Sequence, residues 1–152
     1  MEKFKVIVVA AVGALTSFLG VLAIPVYLLV GCNVIDYITG LIASKYRGEK
    51  LSSYKGIKGI AKKVCQWLLI IVGSWIDILI QYAVESAGIP LEFPFIVAIV
   101  VAIWLVLNEM ISILENMVDI GVDMPPFLMP IVKRIKHVTE EQIKEEEDED
   151  SN

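Results

Sequence analysis

The sequence predicts an all-α integral membrane protein with four, or alternatively three, transmembrane helices and a C-terminal amphipathic helix. Three observations predict it. Of 152 residues, 57% are hydrophobic and 20% charged, with a mean hydropathy of +0.71, whereas soluble domains are about 45–50% apolar and about 25% charged. The apolar residues lie in runs long enough to cross a hydrocarbon core of about 30 Å, which takes roughly 20 helical residues. The net charge of −5 is also not spread through the chain. Eight acids against Lys144 put −7 on residues 139–152 and leave +2 on residues 1–138. Disorder is excluded by the high hydrophobicity, and the acidity describes a tail.

From Val6 to Ala43 the ionisable side chains are Asp36, Cys32 and two tyrosines. As one helix this stretch would be about 57 Å long, beyond any plausible tilt. Pro25 removes an N–H in its middle and disfavours helix at Ile24. Two spans follow, about residues 6–22 and 25–44, joined by a very short turn. The alternative is one span from about Leu22 to Ser44, preceded by an interfacial helix. Lys3 and Lys5 precede the first apolar run as in a signal peptide. The run continues far beyond the small-residue site near Ala23, however, so cleavage is not expected.

The third span, about residues 64–82, is apolar except for Gln66, Asp77 and Gln81. The fourth, about 94–114, starts at Pro94, a residue suited to a first helical turn, and is stopped by Gly121 and Pro125-Pro126. The expected organisation is a transmembrane domain over residues 1–125, with a basic cytoplasmic loop at 45–63, an interfacial helix at 126–138 and an acidic cytoplasmic tail at 139–152. Phe127, Leu128, Ile131, Val132, Ile135 and Val138 recur at helical spacing with Lys133, Arg134 and Lys136 around them, which describes a helix lying on the inner leaflet. The acid run beyond it reads as a solvated or a regulatory tail.

Lysine and arginine bias sets orientation. Residues 45–63 carry seven basic side chains against Glu49, while the loop after the third span carries Glu85 and Glu92. Four spans with both termini in the cytoplasm put every basic cluster inside. Lys58, Lys62, Lys63, Lys133, Arg134 and Lys136 are the expected lipid-headgroup contacts. Anionic lipid suffices to explain the basic loop, so no nucleic-acid partner is expected.

Charge at the centre of a membrane helix costs about 2.5–3.5 kcal/mol on insertion scales, so the polar residues inside the spans carry the information. Asn33, Asp36 or Tyr37, Gly40 and Ser44 share one face of the second span. Gln66, Gly73, Asp77 and Gln81 share one face of the third, with Ser74 beside them. Asn108, Ser112, Glu115 and Asp119 form a stripe on the fourth, flanked by Glu109. These stripes face one another inside a monomeric bundle, or they face an aqueous lumen or a subunit interface. No Lys or Arg within the expected spans neutralises Asp36, Asp77 or Glu109, which favours the second reading. In the first span Ala10, Gly13, Ala14, Ser17 and Gly20 give only a weak small-residue face.

No residue set suggests catalysis, a cofactor or a metal. His137 reads as interfacial, Cys32 and Cys65 fit no zinc or redox spacing, and the glycines at 56 and 59 lack the context of a phosphate-binding loop.

Asn33-Val34-Ile35-Asp36-Tyr37-Ile38-Thr39-Gly40 resembles the D-Y-x-T-G signature of the phage-lysis and toxin-secretion holins. It is followed, as in that family, by Leu51-Ser52-Ser53 and by Gly56-Ile57-Lys58-Gly59-Ile60-Ala61-Lys62-Lys63. An Asp in the next span matches Asp77. Asn108-Glu109-Met110-Ile111-Ser112-Ile113-Leu114-Glu115-Asn116 is similar to the family's E-x-x-S-I-L-E-N. Gly121 and Pro125-Pro126 also match, so the resemblance runs from residue 33 to about 130, and the terminal acid run stands outside it. It implies a non-enzymatic protein that accumulates in the bacterial cytoplasmic membrane. There it oligomerises with itself and opens lesions through which a wall-degrading endolysin or a toxin escapes. On that reading Asn33, Asp36, Gly40, Asp77, Gln81, Asn108, Glu109, Ser112 and Glu115 line a lumen or the subunit interfaces. A small-solute or ion channel, using the carboxylates to bind ions or relay protons, is the alternative. A scaffold that recruits cytoplasmic partners is a third class.

Overall fold

The computed structural model describes residues 2–49, 53–92, 95–135 and 137–138. Pro94, Lys136 and the acidic run 139–152 lie outside the described residues. Helix α1 covers Glu2–Leu19, and a single 3-10 turn at Gly20–Leu22 leads into α2 at Ala23–Tyr46. Helix α3 covers Ser53–Ser86, α4 covers Ile96–Ile120, and residues 128–135 form a short helix, α5. The fold is all-α. Among the described residues, three segments are long and apolar enough to cross a membrane: Gly20–Tyr46, Gly56–Ser86 and Ile96–Ile120.

Two boundaries differ from the sequence expectation. The turn between the first two helices falls just before Pro25, with Gly20 at a φ of +51°. Pro25 is instead the third residue of α2, in a first turn whose N–H groups have no intrahelical acceptor to lose. More consequentially, residues 53–63, expected in a basic loop, are the first turns of α3. Tyr54, Ile57 and Ile60 recur there at a spacing of three beside Lys58 and Lys62, and lysine is a good helix former. Lysines signal polarity, and an exposed helical turn carries polarity as readily as a loop does.

The ends of α2, α3 and α4 are closed by one device. At α4, Gly121 adopts a φ of +92°, its N–H donates to the Val118 carbonyl (2.9 Å) and the Val122 N–H to the Met117 carbonyl (3.0 Å). This Schellman motif satisfies carbonyls that would otherwise be stranded in an apolar medium. Gly48 and Gly88 repeat it after α2 and α3.

Helix α4 is the spine. It packs against α2 along the larger interface and against α3 along a smaller one, whereas α2 and α3 barely meet. Leu29, Cys32, Ile70, Ala102, Leu105, Val106 and Ile113 form the main core. Ala98 and Ala102 are fully buried, since small residues let helices approach where lipid supplies no hydrophobic drive. Near the α1–α2 turn an apolar cleft of about 480 Å³ lies between the start of α2 and the middle of α3, lined by Leu22, Val26, Trp67, Ile70, Trp75 and Phe95. Helix α1 leans on α2 where Thr16 Oγ1 and Tyr27 Oη hydrogen-bond at 2.7 Å.

Helix α5 folds back onto α4 and is more than an interfacial segment. Val132 is buried with Leu107 and Leu114, and Leu128 and Met129 pack beside them. Phe127, Ile131, Ile135 and Val138 form a second, exposed apolar stripe, the face available to lipid.

Candidate functional site

The site is built where the polar stripes of α2, α3 and α4 converge, at the half of the bundle that carries the basic residues. Asp36 lies ten residues inside the end of α2 and Glu109 eleven inside the end of α4, about 15 Å in at 1.5 Å per residue. The Lys63 ammonium of α3 stands between them. Its Nζ donates to Asp36 Oδ2 at 2.9 Å, to Asn33 Oδ1 at 3.2 Å and to Glu109 Oε2. Three ammonium protons therefore meet three acceptors on two other helices.

Amide side chains complete the set. Asn116 Nδ2 donates to Asp36 Oδ1 (3.2 Å) and to Thr39 Oγ1 (3.3 Å). Gly40 lies beside it, where a Cβ would stand in ordinary contact, 3.6 Å from Asn116 Nδ2. Gln66 Nε2 donates to Glu109 Oε1 at 2.7 Å, leaving Gln66 Oε1 buried without a partner among the described residues. Glu109 is only 4% exposed. A bare carboxylate at that depth is untenable, whereas one paired with an ammonium and further donors can persist.

This corrects the expectation that no cation reaches the intramembrane carboxylates. Lys63 does so because α3 begins at Ser53, which places residue 63 well inside the helix instead of at its edge. Expected at the headgroups, Lys63 is turned into the bundle, while Lys58 and Lys62 are exposed.

Asp77 occupies a separate place. It is 2% exposed, and its two carboxylate oxygens accept the backbone N–H groups of Val97 (2.9 Å) and Ala98 (2.8 Å). A side chain of α3 thus caps the N-terminus of α4, whose own N-cap, Phe95, has no side-chain acceptor. Both the free N–H groups and the helix dipole favour an anion there. Gly73, one turn earlier, lets the helices touch: a Cβ at Gly73 would stand 3.1 Å from Ala98 Cα. Expected to line a lumen or an interface, Asp77 in this structure spends both oxygens inside its own chain.

The other expected residues are dispersed. Gln81 is half-buried one turn beyond Asp77 and donates to Glu85 at 2.7 Å. Asn108 and Ser112 are half-buried on α4, and the exposed Glu115 pairs with Lys133 of α5 at 3.8 Å. Arg134 is exposed. At the end of α2, Arg47 pairs with Asp119 and with Glu49, and the Asp119 carboxylate holds its guanidinium above its already high ordinary pKa. Sequence reasoning missed Lys63, Asn116 and Arg47 as partners. The signal for Lys63 was present: it continues the α3 stripe of Gln66, Ile70, Gly73 and Asp77 one turn further.

Apolar helices around a compensated ionic centre, with capped helix ends, define an integral membrane protein of the α-helical class. Over residues 13–137 the chain matches the bacteriophage holin family, and it belongs to that family. It is similar to an uncharacterized protein of Listeria innocua, 35% identical over 87% of this chain and 86% of the relative. A Listeria monocytogenes protein, also uncharacterized, is 36% identical over 79% of this chain and 78% of the relative. One from Halalkalibacterium halodurans is 32% identical over 84% and 90%, respectively. No solved structure matches the chain.

Proposed function

We propose that the protein is a pore-forming holin of the bacterial cytoplasmic membrane, with both termini in the cytoplasm, which assembles with copies of itself and lets an endolysin or a toxin cross. Family membership supports the reading, and one observation carries its mechanism: the bundle stores polar groups at its centre that, among the described residues, are paired with one another. A thin bundle of this kind keeps Asp36, Asn33 and Glu109 from lipid in the closed monomer. On assembly, the same groups together with Asn108, Ser112, Glu115 and Gln81 line water, where an ionised carboxylate costs little. Asp77 remains the cap of α4 in both arrangements. In this reading α1 is a fourth span, and Lys58, Lys62, Lys133 and Arg134 contact anionic headgroups on the cytoplasmic side.

The test is release of size-graded cargo from vesicles reconstituted with purified protein. Escape of a folded protein the size of a wall hydrolase is the expected result. Release of ions alone would favour a channel, a second reading supported by the ionisable residues at the bundle centre. No release at any protein density would refute both.

A further inference from the structure

Among the described residues, the polar ties of α3 to its neighbours cluster at two places, with Trp67 and Ile70 packed in the apolar core between them. Near one end, the Asp77 carboxylate grips the first N–H groups of α4 and Gly73 lies against Ala98. Fourteen residues away, about 21 Å along the helix, Lys63 reaches both Asp36 of α2 and Glu109 of α4. The two ties differ in kind. The first joins a short side chain to backbone that is fixed in a helix. The second is a long side chain that reaches across to α2, which hardly touches α3, as well as to α4, which packs on it.

We infer that Lys63 is the positioning residue that holds the bundle shut, a latch whose release lets the basic end of α3 swing away from α2 about a pivot at Asp77 and Gly73. The chemistry sets the direction. Removing the ammonium leaves Asp36 and Glu109 facing each other with only Asn116 and Gln66 as donors, and stranding one member of a buried pair is strongly unfavourable. The carboxylates regain solvation only if the helices part. Beside Val26 and Trp67 an apolar cleft already parts α3 from the start of α2, so on that side the latch is the main tie. On the α4 side the swing must also break the Gln66–Glu109 hydrogen bond and loosen the packing of Trp67 and Ile70. The inference rests on the pore reading for its biological meaning, but not for its test.

The experiment measures the distance between spin labels at native Cys65 on α3 and at Ile38→Cys on α2, in a Cys32→Ala background, in lipid nanodiscs. A second pair across the Asp77 pivot serves as reference. Lys63→Met is expected to lengthen and broaden the first distance and leave the reference pair unchanged. The open:closed ratio should shift about 100-fold or more, the scale on which a stranded buried charge acts. Lys63→Arg, which keeps the charge, should restore the short distance. So should the neutral triple variant Asp36→Asn/Lys63→Met/Glu109→Gln, which removes every charge at once; because it folds without a stranded ion, it keeps the test usable if Lys63→Met alone does not fold.

Lys63→Met at the wild-type distance would overturn the latch. A triple variant as open as a folded Lys63→Met would overturn it too, because packing and not charge would then hold α3. Vesicle release separates the two readings: a distance that opens without cargo release upholds the latch and refutes the pore. Release by the wild type together with an unmoved distance in Lys63→Met does the reverse.

Discussion

Asp77→Ala is the substitution whose effect follows most directly from geometry. The carboxylate accepts two backbone N–H groups at 2.9 and 2.8 Å in a position 2% exposed, so alanine strands both donors in an apolar setting. Each stranded buried donor costs about 1–3 kcal/mol, and loss of a helix cap costs about 1 kcal/mol. These overlap, because the cap is made of the same two bonds. A local loss of about 2–4 kcal/mol is therefore expected at the start of α4, with no contribution at the Lys63 centre. At about 1.36 kcal/mol per tenfold, amide exchange at Val97 and Ala98 should quicken by roughly 30- to 900-fold. Hydrogen exchange followed by mass spectrometry on peptides spanning residues 95–100, in detergent micelles, measures it. Asp77→Asn keeps one acceptor and should fall between alanine and wild type. Unchanged exchange over those residues in Asp77→Ala would refute the assignment of Asp77 as the cap, as would a loss spread evenly over α2 and α4.

Other consequences are tested more simply. Gly73→Leu places a side chain against the Ala98 backbone and should cost about 1–3 kcal/mol as overpacking, read as a lower midpoint in reversible SDS denaturation; Gly13→Leu, where nothing lies within 4 Å of the added Cβ, is the control. Lys58→Gln and Lys62→Gln should each lower the enrichment of anionic over zwitterionic lipid around the protein about fivefold, from about 1 kcal/mol per lysine near a charged surface; native mass spectrometry of bound lipid reads it, and an unchanged ratio would remove these residues from the headgroup layer. A single cysteine in place of Lys3 should label with a membrane-impermeant thiol reagent from the same side as one at Lys50, because four spans return both to the cytoplasm. Opposite sides would leave three spans.

The apolar runs made the fold class legible, because each span is longer than a soluble core helix needs. The faces of the helices were legible too. The i, i+3, i+4 spacing of Asn33, Asp36 and Gly40 and of Gln66, Gly73 and Asp77 marks the sides that meet α4 in the structure. What periodicity withholds is partnership. It places Asp77 on an inward face but cannot tell an N–H acceptor from a lumen residue, since the partners, Val97 and Ala98, are backbone groups that any side chain would carry. Hydropathy in turn misses Lys63, because it treats lysine as the end of a span, although the α3 stripe reaches that position. A four-carbon stem can carry the ammonium inward as easily as outward. The same ambiguity made residues 53–63 read as loop.

The two places where carboxylates enter the bundle therefore solve one electrostatic problem in different ways, and the difference has consequences for motion. At Asp77 the compensating charge is a helix dipole and two N–H groups, which cannot move without moving α4 itself. At Asp36 and Glu109 it is an ammonium at the end of a long side chain on a third helix, helped by the Asn116 and Gln66 amides and, among the described residues, by no backbone group. A chain that needed only stability would gain by replacing such a centre with well-packed apolar side chains, because buried ion pairs seldom repay their desolvation. Retaining Lys63, Asp36 and Glu109 together makes sense if the arrangement has to be undone. The fixed carboxylate then sets where α3 turns, and the movable cation sets when.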